Sequence, residues 1–223
     1  MPDILVNVSA VRAAIADACH RCGRDQAEVT LIAVTKNQGP EVLPLLAAAG
    51  ITDVGENRCE HQQIMQAAAP PGLRFHAIGR VQGRQFPTLV TISDCLHSLA
   101  DPGHVERLAR ACAALGRQLP VYVQVNTSGE ASKAGLAPEA LPAMLDRISK
   151  QASLQVLGLM TMAPIEDPQN QHDQDQIRRC FAALRELGQR HGLKGLSMGM
   201  SQDFPIAIAE GATVVRVGTR LFA

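Results

Sequence analysis

One stretch of the chain, Val29-Thr30-Leu31-Ile32-Ala33-Val34-Thr35-Lys36, is an almost uninterrupted run of apolar and β-branched residues, followed at once by the turn residues Asn37-Gln38-Gly39-Pro40. Because both faces of the run are apolar or β-branched, it predicts a parallel strand buried on both sides. Lys36 stands at the carboxyl end of this strand, where α/β proteins place their chemistry. Burial would disfavour its ammonium form, and a free amine can condense with an aldehyde. A surface lysine that merely ends the strand is the alternative, which this segment alone leaves open.

The rest of the chain alternates between strand-like and helix-like segments. Strands are predicted at 29–35, 52–54, 74–79, 92–98, 119–126, 154–162, 195–200 and 213–218. Helices are predicted from about Leu5 to Cys22 and, among others, at Pro40–Ala49, Arg58–Ala68, Val105–Leu115, Pro138–Gln151 and Asp173–His191. Eight strands in βα alternation predict an α/β fold, a single (β/α)8 TIM barrel with an extra amino-terminal helix.

A doubly wound open sheet is the alternative architecture. Its nucleotide-binding forms carry GxGxxG after the first strand or GxxxxGK[ST] at a P-loop, and the sequence has neither. No repeat, low-complexity segment or linker divides the chain. We therefore expect residues 1–223 to form one domain.

Composition excludes several classes of function. The 223 residues are 46% apolar, and 21 basic residues balance 21 acidic ones, so no net field attracts nucleic acid or an anionic membrane. Tryptophan is absent and Tyr122 is the single tyrosine, which argues against base-stacking surfaces. The amino terminus lacks the features of a signal peptide, and no apolar stretch reaches membrane-spanning length. We expect a soluble, cytoplasmic protein.

The cysteines and histidines do not predict a metal site. Cys19-His20-Arg21-Cys22 matches a CxxC pattern, but it ends a predicted helix and has no second CxxC. The other four cysteines are scattered without ligand spacing, and the seven histidines contain no HxxxH or HExxH pair. We expect neither a metal centre nor a zinc hydrolase.

Polar residues gather where the predicted strands end. The second to fourth strands end in Gly55-Glu56-Asn57, His76-Ala77-Ile78-Gly79-Arg80 and Ser98, and the later ones in Asn126-Thr127-Ser128-Gly129-Glu130, Thr161, Ser201 and Arg216-Val217-Gly218-Thr219. In a barrel these ends converge on one rim, where catalytic and ligand-binding residues cluster.

The last two strand ends have the composition of a phosphate site. Barrels often bind phosphate in the loops after strands seven and eight, through backbone amides and a short helix. Here these loops contain Gly199-Met200-Ser201 and Gly218-Thr219, and a short helix is predicted after Ser201. Each loop combines a glycine, which lets a ligand approach the backbone, with a hydroxyl donor. For either loop alone, ordinary turn formation is the simpler explanation.

Arg216 is unusual because it interrupts a valine-rich strand. A buried cation is costly unless it meets an anion, a carbonyl or a ligand atom. A structural ion pair with a carboxylate such as Glu210 is one interpretation. The other places Arg216 against a ligand.

A rim lysine, a phosphate cup on the opposite strands and a buried arginine together meet the needs of pyridoxal 5′-phosphate (PLP). The lysine would form the internal aldimine, the cup would hold the phosphate, and the arginine would face the pyridine nitrogen. An arginine hardly gives up a proton, so the ring would stay unprotonated and would be a weaker electron sink than with an aspartate partner.

The motifs of the chain also resemble those of a known family, the pyridoxal phosphate homeostasis proteins, from about residue 5 to the end. The motifs that carry the resemblance are Leu31-Ile32-Ala33-Val34-Thr35-Lys36, Gly55-Glu56-Asn57, Phe75-His76-Ala77-Ile78-Gly79, Gln124-Val125-Asn126, Lys133-Ala134-Gly135-Leu136, Gly158-Leu159-Met160-Thr161-Met162, Leu196-Ser197-Met198-Gly199-Met200-Ser201 and Val215-Arg216-Val217-Gly218-Thr219.

The resemblance implies the fold of the alanine racemase amino-terminal barrel, with PLP bound as an aldimine on Lys36. It implies that PLP contacts further residues: Asn57 and His76 near the cofactor, Ser201, Gly218 and Thr219 at its phosphate, and Arg216 at its ring nitrogen. Members of the family are regarded as PLP carriers or buffers without established catalysis, with apo PLP-enzymes as the recipients.

Two segments depart from the family pattern. Gly79 is followed by Arg80-Val81-Gln82-Gly83-Arg84-Gln85, without the lysine that is common a few residues on. Asn57 is followed by Arg58-Cys59-Glu60-His61, where glutamine and glutamate are more usual. Neither departure touches the lysine, the phosphate cup or the arginine.

Two enzyme classes remain as alternatives to a carrier. A two-base amino-acid racemase needs an acid/base opposite the lysine, and in alanine racemases a second, β-rich domain delivers it as a tyrosine. We expect no such domain after the eighth strand, and we expect Tyr122 to lie away from the rim. A Schiff-base aldolase also uses a barrel lysine and a phosphate cup, but it leaves Arg216 unexplained. We expect a monomer, with a weak dimer as the alternative.

Overall fold

The computed structural model describes residues 3–129, 134–164 and 171–223. Within these ranges eight parallel strands pair in chain order and close into a barrel, with the last strand beside the first. The strands are β1 Thr30–Val34, β2 Asp53–Glu56, β3 Arg74–Ala77, β4 Cys95–Leu99, β5 Leu119–Gln124, β6 Leu154–Met160, β7 Gly195–Ser197 and β8 Val214–Val217. The predicted (β/α)8 barrel is confirmed. Lys133, part of one family motif, and Glu130, at one predicted strand end, lie outside the described residues.

Helices follow the strands and cover the outside of the barrel. They are α1 Ile4–Arg21, α2 Val42–Ala48, α3 Cys59–Ala67, α4 Phe86–Ile92, α5 Val105–Ala114, α6 Leu141–Ser149, α7 Gln171–Arg190, α8 Phe204–Ala209 and α9 Thr219–Phe222. The strand predicted at 92–98 begins only at Cys95, because Ile92 is the last residue of α4. In the described part of the chain, no helix combines the length and the apolar character that a membrane crossing requires.

The extra helix α1 is hydrogen-bonded both to the end of α2 and to the carboxyl-terminal turn. Asn7 Nδ2 lies 3.2 Å from the carbonyl oxygens of Leu221 and Ala223, and Arg12 donates to the carbonyls of Ala49 and Gly50 at 2.9 and 2.6 Å. These bonds occupy carbonyls at helix ends, which would otherwise lack partners. The helix thereby holds α2 and the carboxyl-terminal turn together.

The interior of the barrel is partly polar. Ile32, Cys95, Tyr122, Met160 and Val214 form a small apolar cluster there, while the large apolar core lies between the sheet and the helices. Among the buried polar residues are Asp53, His97, Ser197 and Arg216. Since buried polar groups are costly unless they are paired, their partners indicate what this interior does.

Candidate functional site

The turn after β1 presents Lys36 at the rim. Thr35 N donates to Gly55 O at 3.1 Å, and Gln38 N donates back to Thr35 O at 2.8 Å, which closes a tight turn. Lys36 lies inside this turn and its side chain is exposed. Its position at the strand end is confirmed. The expectation that its side chain is buried is wrong, because solvent reaches it.

Glu56, which is buried, and His61, which is partly exposed, bind both ends of the Lys36 turn. Glu56 is 1% exposed, and its carboxylate accepts from Thr35 Oγ1 and lies 2.7 Å from His61 Nδ1. His61 Nε2 lies 3.1 Å from Gln38 O. The imidazole ring therefore bridges the Glu56 carboxylate and the Gln38 carbonyl, one on each side of Lys36.

This pair was not predicted as part of the site. The sequence marked Glu56 only as a polar residue at a strand end, and His61 only as part of a segment that departs from the family pattern. The signal that could have found it is the five-residue separation, since Glu56 ends β2 and His61 lies in the first turn of the following helix, α3.

Asn57 lies at the rim beside Lys36's turn. Its side chain is exposed and makes no hydrogen bond to the described residues, so it can contact a ligand. A Cβ on Gly79 would clash with the Asn57 backbone, so glycine is what lets the loops after β2 and β3 touch. A cavity of about 140 Å³ lies between these loops and is lined partly by Asn57, Arg58, Gly79 and Arg80.

The two loops of the predicted phosphate cup meet. Gly218 N donates to Ser201 Oγ at 3.1 Å, which leaves the Ser201 hydroxyl hydrogen available to a ligand. Gly199 has φ +93°, and a Cβ there would lie 2.6 Å from Ala207 Cβ, so only glycine fits this turn. Thr219 is exposed at the start of α9.

The position of the cup corrects one prediction. The cup was expected on the strands opposite Lys36, but β8 pairs directly with β1. Closure of the barrel therefore puts Gly218 and Ser201 beside the lysine turn rather than across from it.

Arg216 lies under the rim and is 4% exposed. Its Nη1 donates to Ser197 Oγ at 2.7 Å and its Nη2 to Thr161 O at 3.0 Å. Burial lowers the pKa of Arg216 to about 10, although the charge of Asp203 acts against the shift. The guanidinium is still protonated at neutral pH, and three of its five N–H hydrogens meet no acceptor among the described residues.

The proposed structural role of Arg216 in an ion pair with Glu210 is wrong. Glu210 is paired outside the barrel with Arg178 at 3.1 Å and with Arg185. A buried guanidinium with free hydrogens is costly on its own, so its surroundings fit a ligand acceptor above it.

His76 does not reach up to the rim. Its Nε2 lies 2.8 Å from Asp53 Oδ1 and its Nδ1 2.9 Å from His97 Nε2, both inside the barrel. Burial alone would raise the pKa of Asp53, but hydrogen bonds from His76, Arg74 and Thr52 outweigh it and hold the pKa well below its usual range. The side chain of His76 is thus hydrogen-bonded inside the barrel, below the rim.

One group in the described residues has the composition of a metal site. One ligand atom each of His76, Cys95 and His97 lies within 4.8 Å of the others. However, the two histidines are hydrogen-bonded to each other, and burial raises the pKa of the Cys95 thiol to about 12, which disfavours the thiolate that metals bind. In the CxxC segment, Cys22 Sγ donates to carbonyls of its own helix.

The residues fit PLP on the evidence of their geometry. One end of the barrel brings together an exposed lysine, neighbouring loops that offer a free hydroxyl, and a buried cation with unused donors. These are the groups that an aldehyde, a phosphate and a ring nitrogen need.

Comparisons with known proteins agree with this arrangement. The family described as alanine racemase, N-terminal domain, matches residues 6–223. A Pseudomonas aeruginosa protein named pyridoxal phosphate homeostasis protein is 39% identical over 100% of this chain and 96% of its own length. The structure of PipY from Synechococcus elongatus with PLP bound has a TM-score of 0.80 at 35% identity, covering 94% of this chain and 100% of PipY. A Clostridium difficile alanine racemase shares the fold, with a TM-score of 0.80 at 13% identity over 100% of this chain and 56% of the racemase.

Proposed function

The chain belongs to the alanine racemase N-terminal domain family and, within it, to the pyridoxal phosphate homeostasis proteins, and we propose that it binds PLP covalently through Lys36 and takes part in PLP homeostasis by holding and delivering the cofactor. The main support for the proposal is the arrangement of three groups. The Ser201–Gly218 cup lies beside the Lys36 turn, and the buried Arg216 lies below them. Residues 1–223 would act as one PLP-binding domain.

Each residue has a distinct task in this proposal. The Lys36 amine would attack the aldehyde carbon and form an imine with loss of water. The Ser201 and Thr219 hydroxyls would donate to the phosphate, Gly218 would let it approach the backbone, and Asn57 would contact the cofactor from the loop after β2. When bound, PLP supplies a reactive aldehyde on an electron-withdrawing ring.

Arg216 would keep that ring weak as an electron sink. Its free N–H groups would donate to the ring nitrogen, and a guanidinium with a pKa of about 10 does not transfer its proton there at neutral pH. The ring nitrogen would thus gain a hydrogen bond and no proton, which suits storage better than carbanion chemistry.

A carrier role is supported by where the only tyrosine lies. Tyr122 stacks on His97 inside the barrel, with ring centroids 4.5 Å apart, and burial raises the pKa of its hydroxyl to about 12. It is therefore unsuited to be the second base of a racemase. We propose that the chain acts as a monomeric carrier and that apo PLP-enzymes receive the cofactor from it.

Absorbance after dialysis tests the assignment of Lys36. We expect wild type and Lys150→Ala, which changes an exposed lysine paired with Asp146, to keep a yellow imine with PLP, and Lys36→Ala to lose it. Equal retention by Lys36→Ala would reject the assignment, and a colourless wild type would reject PLP binding. In a transfer assay the loaded protein should restore activity to an apo PLP-enzyme. Racemisation of alanine at about 1–1,000 per second would reject the carrier role.

A further inference from the structure

A continuous line of five hydrogen-bonded side chains crosses the interior of the barrel. It starts at Asp53, at the amino-terminal end of β2, and ends at Arg216 below the rim. The successive contacts are Asp53 Oδ1 to His76 Nε2 at 2.8 Å, His76 Nδ1 to His97 Nε2 at 2.9 Å, His97 Nδ1 to Ser197 Oγ at 2.8 Å, and Ser197 Oγ to Arg216 Nη1 at 2.7 Å.

The two ends of the line fix its direction. A guanidinium can only donate, so Arg216 Nη1 supplies the hydrogen in its contact with Ser197. Asp53 can only accept while it is ionised, and the hydrogen bonds to its carboxylate hold its pKa well below the usual range. Arg74 Nη2 and Thr52 Oγ1 both point at its other oxygen, Oδ2, at 2.8 and 2.6 Å.

The groups between these ends can then take only one arrangement when both rings are neutral. Ser197 accepts from Arg216 and gives its own hydrogen to His97 Nδ1. His97 carries its hydrogen on Nε2 and donates to His76 Nδ1, and His76 carries its hydrogen on Nε2 and donates to Asp53. Ser197, His97 and His76 each donate one hydrogen bond and accept one, and every donated hydrogen points along the line from Arg216 towards Asp53.

The surroundings of His97 support a neutral ring. His97 is completely buried, and burial lowers its pKa well below the usual value, with the nearby charge of Arg216 acting in the same direction. The opposing charge of Asp53 is a smaller effect. Tyr122 stacks on the ring at an interplanar angle of 25°, which holds its plane.

We propose that Asp53, His76, His97 and Ser197 are positioning residues that hold Arg216 in its orientation through a one-way chain of hydrogen bonds. The proposal rests on the function proposed above, because it gives Arg216 the task of facing the ring nitrogen of PLP. Arg216 donates one hydrogen bond to Ser197 Oγ and one to Thr161 O, and its remaining N–H hydrogens are available to the cofactor. The chain thus supports the site from residues that need not touch the cofactor.

The tautomers of the two histidines test the direction of the chain without any cofactor. Long-range ¹H–¹⁵N correlation spectra of the cofactor-free protein, assigned with His76→Gln and His97→Gln, should show both rings neutral with hydrogen on Nε2. In Asp53→Asn, Arg74 and Thr52 keep an oxygen at the Oδ2 position, so the amide nitrogen faces His76. Both rings should then move their hydrogen to Nδ1. A cationic ring, hydrogen on Nδ1 in wild type, bound zinc, or no change in Asp53→Asn would overturn the assignment.

Ser197 variants test whether the chain positions Arg216. Ser197→Ala removes the acceptor of Arg216 Nη1 and should weaken PLP binding about tenfold and shift the absorbance maximum of bound PLP. Ser197→Thr keeps the hydroxyl and should restore both. Ser153→Ala makes the same change outside the barrel, where Ser153 Oγ donates to Ala109 O, and should alter neither.

The two proposals fail in distinguishable ways. If wild type takes up no PLP, the proposed function falls, and the tautomers still decide the direction of the chain. If wild type binds PLP and Ser197→Ala binds it with the same affinity and spectrum, the positioning role falls and the proposed function stands.

Discussion

Gly218 lies against the end of β1 so closely that a Cβ on it would sit 3.2 Å from the carbonyl oxygen of Val34. Val34 is the last residue of β1, two positions before Lys36. The loop after β8 therefore touches the first strand through backbone atoms, whose positions vary less than those of side chains. The separation between the proposed lysine and the proposed phosphate donors is set by this contact.

Gly218→Ala should weaken PLP binding with little loss of stability. Its φ of −120° suits any residue, so the added methyl has only to displace β1 by a few tenths of an ångström. We expect about tenfold weaker binding by absorbance titration and a free energy of unfolding lowered by about 1 kcal/mol or less. Gly103→Ala is a matched control, because its Cβ would lie 3.2 Å from a movable side chain, that of Asp101. Unchanged affinity in Gly218→Ala would contradict the role of this contact.

Gly199→Ala should destabilise the fold more than Gly23→Ala. Both glycines have positive φ, +93° and +68°, so alanine is strained at either place. Only at Gly199 does the new Cβ also collide, 2.6 Å from Ala207 Cβ, whereas nothing lies within 4 Å at Gly23. Urea unfolding should show a loss of about 1 kcal/mol for Gly23→Ala and about 2–4 kcal/mol for Gly199→Ala. Equal losses would mean that α8 moves aside freely.

The Glu56–His61 pair should contribute far more to stability than an exposed ion pair. His61→Ala leaves a buried carboxylate without its imidazole partner, so we expect a loss of about 1–3 kcal/mol in urea unfolding. Arg147→Ala, which breaks the exposed pair with Glu106, should cost less than about 1 kcal/mol. Glu56→Gln in the His61→Ala background should recover part of the loss, because it removes the unpaired charge. Additive losses in the double variant would contradict this coupling.

The strands and the rim could be predicted because parallel strands buried on both faces leave a strong local signal. Val29–Thr35 is apolar or β-branched throughout, and polar residues at its end and at the end of the eighth strand stand out against it. Lys36 and Arg216 were found in this way, and their places at β1 and β8 are as predicted. The neighbouring position of the cup followed from closure of the barrel and could have been derived from the strand order.

The hydrogen-bond chain inside the barrel could not be predicted from sequence. Asp53, His76, His97 and Ser197 come from four strands, and His97 and Ser197 are 100 positions apart. Local patterns show that a residue faces inward but not at which height it meets residues of other strands, because that depends on the register of every pair. The same holds for the exposure of Lys36, which depends on the turn that follows the strand and not on the strand itself.

His97 should make the protein less stable as the pH falls below about 6.5. Burial lowers its pKa in the folded state, while in the unfolded chain it returns to about 6.5. Below that pH the unfolded chain binds a proton at this position and the folded chain does not, so the contribution to stability is complete above about pH 6.5 and is lost below it. Asp53, with its lowered pKa, is ionised in both states between pH 5.5 and 7.5 and cancels. Asp203, whose pKa burial raises, acts in the opposite sense in every variant.

Between pH 7.5 and 5.5 we therefore expect His97 to account for about 1.4 kcal/mol of the fall in unfolding free energy. Urea unfolding of His97→Gln should show a fall smaller by that amount, whereas His20→Gln, at an exposed position, should retain the wild-type dependence. An identical fall in His97→Gln and wild type would show that His97 takes up a proton in the folded protein, and the one-way chain to Arg216 would then lose its central acceptor, His97 Nδ1.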